Sequence, residues 1–406
     1  MSRSRGATAL ALGSAVSGLL AYVFFALVTR ALGAEAAAPV AVLWTYWSFA
    51  AAALTFPLQH WTVRAVVAAG GEGPVRKAVP PIAALTLAIA LLAGAVTWLA
   101  RDTLFHRDGW SFPLLVVAVT LGSAFLGVVR GMLTVRDRLA AVGMVIVAEN
   151  AVRCVIAAVL MASDVTESRY YGLALAVGGV VGFAWPSVLR VGRTGRTDQP
   201  WLAFLAGASG GQVISQTVLT GGPVVLALLC GTPAQVTGLF VALALFRAPY
   251  TLALGVVSPA TGVLTRLVVA EQHGAIRRVL AAIVGVTALG AGLAAVVGWF
   301  LGPDLLRLVF GSSIEVSAMV CLLTAVGSAL SIGTLLLSLV AMAHDRSHTT
   351  LRSWLLAALA AAVTLVVGPG EPLTTVTVAF LVAQLVAFAT LLTEQLVAQP
   401  RVAKPR

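Results

Sequence analysis

The chain has 406 residues, 60% of them hydrophobic and 10% charged, with a mean hydropathy of +1.00. Soluble domains carry about 25% charged residues, so this composition excludes a soluble globular protein and points to a polytopic membrane protein. The formal net charge of +11 would suit a nucleic-acid binder, but the placement of the charges excludes that reading.

A bilayer crossing takes ~20 apolar residues. Twelve such runs follow one another at 7–29, 38–60, 79–100, 112–134, 139–162, 169–190, 201–230, 234–258, 279–301, 315–342, 351–368 and 373–396. The expected fold is therefore all-α, with about 12 transmembrane helices joined by short loops. Arg3 and Arg5 precede the first run as they would in a signal peptide. The run is longer than the roughly 7 to 15 residues of a signal core, and we read it as a retained first helix. Its Gly13/Ser17 and Ser14/Gly18 pairs have the small-xxx-small spacing of close helix packing and receive no ligand role.

The second run carries Pro57 with Gln59 and His60 near its inner end. The fifth, "VIVAENAVRCVIAAVL" (145–160), holds Glu149, Asn150 and Arg153. A charge at the membrane centre costs roughly 2.5 to 3.5 kcal/mol on insertion scales, so the fold or the function must offset it. Glu149 and Arg153 stand at i and i+4, the favourable order for a same-face pair. They either neutralise each other, or Arg153 contacts an anionic ligand. Glu149 is the one acid well inside a run, so it either titrates in proton coupling or only pairs with Arg153.

The segment "RVGRTGRTDQP" (190–200) reads as a cytoplasmic linker. It separates an N-terminal bundle, 1–190, from a C-terminal bundle, 201–406, with 191–200 between them. In the seventh run Gln212, Ser215 and Gln216 make a polar stripe at helical spacing, for interhelical hydrogen bonds or sugar contacts. Gly221-Gly222-Pro223 should bend that helix. In the eighth, "LALFRAPYTLAL" places Arg247 near the bilayer centre with no acid within four residues. Pro249 follows it, and Pro259 lies further along. Proline removes a backbone donor and kinks helices, which makes Pro57, Pro223, Pro249 and Pro259 candidate hinges. Cys154, Cys230 and Cys321 fall within runs and read as buried apolar residues, with no disulfide or zinc pattern.

With the N-terminus inside, the inner loops hold 19 Lys and Arg against 6 Asp and Glu, and the outer loops 5 against 8. The helices are left with Arg153, Arg247 and Glu149. This asymmetry is the positive-inside rule. The basicity thus reports topology, with both termini cytoplasmic, and no nucleic-acid partner is expected.

The chain also repeats. Pro57 precedes Arg64 by seven residues and Arg76 by nineteen, and Pro259 stands in the same relation to Arg266 and Arg278, 202 residues later. "GSAFLGVVRGMLTVRDR" (122–138) is echoed by "GSALSIGTLLLSLVAMAHDR" (327–346). An offset of six helices keeps the halves in the same orientation, a parallel repeat of the kind transporters use.

The opening "ALGSAVSGLLAYVFFALVTRALGAEAAAPVAVLW" (11–44) and "RGMLTVRDRLAAVGMVIVAENAVR" (130–153) resemble polysaccharide flippases of the O-antigen and exopolysaccharide type. These belong to the multidrug, oligosaccharidyl-lipid and polysaccharide exporter superfamily. The resemblance implies two pseudo-symmetric six-helix bundles around a central cavity, in the cytoplasmic (inner) membrane. It implies a polyprenyl-diphosphate-linked oligosaccharide as cargo, membrane lipids as surroundings and envelope polysaccharide assembly enzymes as partners, with the chain acting as a monomer. Arg153 and Arg247, one per half, would then hold the diphosphate, since guanidinium groups grip phosphate oxygens bidentately. Gln59, Glu149, Asn150, Gln212, Ser215 and Gln216 would line the cavity. In the related drug/cation antiporters the coupling acid commonly lies on the first helix, and residues 7–29 contain no Asp or Glu.

Three other readings remain: export of drugs or small amphiphiles, a non-transporting scaffold for envelope assembly, and a membrane glycosyltransferase. The enzymatic one is disfavoured by short outer loops, in which Asp102, His106 and Asp108 make a poor catalytic set. Neither a phosphate-binding glycine loop nor a nucleophile elbow is evident, so no catalytic residue, metal or cofactor is expected.

Overall fold

The computed structural model describes residues 3–195, 201–253, 264, 267–268, 270, 272–344, 347–368 and 370–397. Every regular element among them is helical, and the protein is an all-α polytopic membrane protein.

The first apolar run and most of the second lie in one element, α1 (Arg3–Ala50), interrupted at Gly33 with φ 74° and ψ 177°. That region of backbone space is essentially restricted to glycine. The rings of Phe24 and Trp44 stack 5.6 Å apart. Twenty residues of continuous helix would separate them by about 30 Å, so the chain reverses at Gly33 and α1 is a hairpin of two legs. The second leg runs through a π-helical turn, Ala51–Thr55, into α2 (Phe56–Ala69). The wider turn accommodates Pro57, which has no N–H to give, and frees Thr55 to donate to the Ser123 carbonyl at 2.8 Å.

Next come α3 (Gly73–Leu99), the short α4 (Arg101–Phe105), α5 (Ser111–Val135), α6 (Leu139–Ala162) and α7 (Ser168–Val177). The last continues as two 3-10 stretches, Gly178–Ala184 and Pro186–Leu189. Helices α8 (Trp201–Thr220) and α9 (Gly222–Leu228) are bent by 70° at Gly221, two residues before Pro223. α10 (Pro233–Phe246) ends at Arg247, and α11 (Ala248–Ala253) holds Pro249 in its first turn. Pro259 and Arg266 lie outside the described residues.

The remaining elements are α12 (His273–Phe300), the short α13 (Gly302–Phe310), α14 (Ala318–Ala343), α15 (Ser347–Val367) and α16 (Pro372–Val397). The order long, short, long, long therefore occurs twice along the chain, as α3 to α6 and as α12 to α15. Among the described residues eight helices are long and apolar enough to cross a bilayer. One is the 62-residue stretch Thr8–Ala69, which holds two crossings, and the α8–α9 pair adds a broken one. The run 169–190 misses regular length because it ends in 3-10 turns, and 234–258 because it is described only as far as residue 253.

The residues form two compact units. The first comprises Met1–Phe240 with Leu308–Ile314, and the second Val241–Arg307 with Glu315–Arg406. In the first, α5 is the central helix. Leu58, Trp61, Val129, Met132, Leu133 and Val145 close around it, and Gly127 and Gly131 let α2 approach so closely that a Cβ there would meet Thr55 and Thr62. Gly13 likewise lies against Gly143 of α6, whereas nothing approaches Gly18, so the first small-residue pair makes the helix contact. Arg30 donates to the Leu308 and Val309 carbonyls at 2.6 and 3.2 Å.

In the second unit α14 is central and buries Leu337 and Val340 against Ile276, Leu280 and Leu391. The exposed surface is apolar: Leu92, Val96 and Leu99 on α3 and Leu289, Leu293 and Val296 on α12 all point outward, as side chains facing lipid should. The three cysteines are free, and Cys154 and Cys321 are buried. Cys230 corrects the expectation, being exposed in the turn after α9 with φ 59°, because the broken helix stops short of it.

Candidate functional site

The polar trio of the fifth run assembles one network in the first unit. Glu149, Asn150 and Arg153 are all buried on α6. The i, i+4 spacing puts Arg153 beside Glu149, and its Nη2 donates to Oε1 at 2.7 Å. The other carboxylate oxygen, Oε2, accepts from Nη2 of Arg130 on α5. Arg153 also donates through Nε to the Leu175 carbonyl at 3.0 Å and through Nη1 to Asn150 Oδ1 at 3.2 Å. Asn150 passes its own amide proton to Ser17 Oγ at 2.7 Å, and Ser17 donates to the Ile146 carbonyl at 3.1 Å.

An aromatic face completes the enclosure. The Arg153 guanidinium carbon lies 4.5 Å from the Trp47 ring centroid and 6.0 Å from that of Trp44, within the range of cation–π attraction. Gly178 leaves the space the guanidinium occupies, since a Cβ there would collide with Arg153 Nε. The gap between Trp47, Ser123, Glu149 and Arg153 has no room for a water molecule. Of the two readings of Arg153, the structure realises the pairing with Glu149.

Arg130 was missed in the sequence, where it was counted among the inner loop residues. It sits inside α5, five residues before the helix ends, with a relative exposure of 8%. Its signal was available, because it falls within the apolar run 112–134. Two guanidinium groups thus share one carboxylate, and the network retains a positive charge. Arg130 Nε is buried with no hydrogen-bond partner.

The other candidate residues stand apart from this cluster. Ser215 bonds the Gln212 carbonyl at 3.0 Å, and Gln216 bonds Thr220 at 3.3 Å, both within α8. Gln212 is exposed, and Gln59 is half-buried on α2. Arg247 belongs to the second unit. It is half-buried at the break between α10 and α11, about 20 Å along the axis from Pro233 at 1.5 Å per residue.

Outside the membrane-spanning segments, a second cluster holds residues 187–194 in place within the first unit. Arg136, after α5, donates to both oxygens of Glu72, which also accepts the Gly192 amide at 2.6 Å. The same guanidinium donates to the Ser187 and Arg190 carbonyls at 2.6 and 2.9 Å, and Gly73 N–H reaches the Thr194 carbonyl at 2.6 Å. The Arg136 hydrogen bonds hold the Glu72 carboxyl below its ordinary range, with the Gly192 amide acting in the same direction against desolvation.

Neither a protein-family model nor a curated protein matches the sequence. Solved structures do. A multidrug resistance MATE family transporter of the MOP superfamily, in its inward-facing conformation, superposes with a TM-score of 0.70 at 15% identity, over 96% of each chain. The lipid II flippase MurJ gives 0.64 at 12% identity, over 95% of this chain and 87% of its own. A MOP superfamily transporter from Pyrococcus furiosus gives 0.61 at 14% identity, over 98% and 96%. From end to end, the chain has the fold of these transporters and of MurJ.

Proposed function

We propose that the chain is an alternating-access transporter that moves a polyprenyl-diphosphate-linked oligosaccharide from the cytoplasmic to the outer leaflet. The observation that carries this reading is the sign of the charge within the helices. Away from the ends of the apolar runs Arg130, Arg153 and Arg247 stand against Glu149, and charges at membrane depth are retained for function more often than by default. The shared fold supports transport, and one structure with that fold is described as a lipid II flippase.

The same likeness equally supports a drug exporter, since other neighbours are described as multidrug transporters. Charge separates the two readings. A cationic interior attracts a diphosphate and repels cationic drugs, and the first run, 7–29, offers no carboxylate to a coupling cation. In this reading Arg247 contacts the diphosphate, while Arg130 and Arg153 supply positive field from the first unit.

The test is depletion of the protein in its host, followed by identification of the lipid-linked species on the cytoplasmic leaflet. Accumulation of a polyprenyl-diphosphate oligosaccharide is expected, with restoration by the wild type and not by Arg247→Ala. An unchanged lipid pool together with lost efflux of cationic drugs would replace this reading with the exporter.

A further inference from the structure

The last two helices, α15 and α16, run antiparallel and leave between them a cavity of about 620 Å³ near the end where α15 begins. This volume lies in the range of sites that hold a small molecule. Its walls are two facing stripes: His348, Arg352 and Leu356 at i, i+4 and i+8 on α15, and Thr390, Glu394 and Val397 on α16. Leu356 and Val397 are exposed, so the cavity opens at the surface of its unit rather than into its core.

Its depth and charge are both informative. Arg352 lies five residues into α15, about 8 Å along the axis, which is the level of lipid headgroups when the helix end lies at the interface. The positive-inside count over the sequence assigns the start of α15 to the inner leaflet. Arg352 and Glu394 face each other at 3.4 Å, with side-chain exposures of 72% and 28%. A lone ion pair this exposed contributes little stability. The pair presents a cation and an anion side by side to whatever fills the cavity. The positive end of the α15 dipole reinforces the cationic side, and His348 lines the same wall. Thr390 donates its hydroxyl to its own helix at 2.7 Å, so its oxygen can still accept on the anionic side.

We propose that this cavity binds the headgroup of a phosphatidylethanolamine from the inner leaflet. Its phosphate would lie against Arg352 and His348, its ammonium against Glu394 and Thr390, and its acyl chains along Leu356 and Val397. A primary ammonium can donate to Glu394, whereas the trimethylated ammonium of phosphatidylcholine cannot, and phosphatidylglycerol has no cation to offer. The site thus discriminates among headgroups that share a phosphate. This inference is independent of the cargo assigned above.

The test is retention of short-chain phosphatidylethanolamine, phosphatidylcholine and phosphatidylglycerol by the purified full-length protein, read by native mass spectrometry. The wild type should prefer phosphatidylethanolamine over phosphatidylcholine by roughly tenfold or more, the effect of one charge-assisted hydrogen bond. Glu394→Gln should abolish the preference, and Arg352→Gln should weaken binding of all three lipids. Both side chains lie at the surface of the unit, and circular dichroism verifies that each variant folds. Equal retention of phosphatidylethanolamine and phosphatidylcholine by the wild type, or a preference that survives Glu394→Gln, would show ordinary annular lipid and overturn the proposal.

Discussion

Glu72 and Arg136, 64 residues apart in sequence, form a two-pronged ion pair, Nε to Oε1 at 2.9 Å and Nη2 to Oε2 at 3.0 Å. Paired hydrogen bonds of this geometry fix orientation as well as adding energy. The same two residues hold Ser187, Arg190 and Gly192, so they fix the path of the chain after the 3-10 stretches, within the first unit.

The Glu72 carboxyl is depressed below its ordinary value of 4.5, chiefly by Arg136. A depressed carboxyl contributes stability that is complete above the unfolded value and is lost as pH falls through the folded one. Hydrogen exchange at the Gly192 amide is therefore expected to be slow at neutral pH and to lose protection below about pH 4.5. In Glu72→Gln it should be fast at both. Equal protection in the variant at neutral pH would show that residues 187–192 are held by other contacts.

Removing Glu149 should harm the protein more than removing either arginine. Glu149→Gln strands two buried guanidinium groups at once, and breaking a buried pair costs about 3–5 kcal/mol. Arg153→Gln leaves Glu149 its bond to Arg130. Thermal midpoints in detergent should fall in the order wild type, Arg153→Gln, Glu149→Gln, and a reversal of the last two would refute the shared-carboxylate description.

Gly178→Ala places a methyl group against Arg153 Nε and should destabilise by about 1–3 kcal/mol through overpacking. Shortening the arginine removes the collision. A double-mutant cycle with Arg153→Ala should therefore be strongly non-additive; strict additivity would mean that the glycine is needed for its 3-10 backbone instead.

Gln384 is fully buried in α16, and neither amide atom has a hydrogen-bond partner. An unsatisfied buried polar group costs about 1–3 kcal/mol, so Gln384→Met is expected to raise the thermal midpoint. A fall would reveal a bound water or partner for that amide.

The architecture was largely legible in the sequence because it is local: apolar run length defines the crossings, and Gly33 and Gly221-Gly222-Pro223 mark where helices turn or break. The Glu149–Arg153 pair was legible for the same reason, since helical spacing alone brings the two together. Arg130 was obscured by its nearness to a helix end, where an arginine reads as a positive-inside loop residue. The Glu72–Arg136 pair lies beyond such reasoning. It depends on how α2, α3 and α5 stack, and no periodicity encodes a contact 64 residues apart.

The hairpin at Gly33 has a mechanical consequence. Ser17 is on one leg of α1 and Trp47 on the other, yet both engage the same turn of α6, one through Asn150 and the other through Arg153. That turn works as a rivet through both legs. The hairpin can neither splay nor slide on α6 without surrendering a polar contact in a place where no solvent can substitute for it, so these three helical segments travel together whenever the first unit moves.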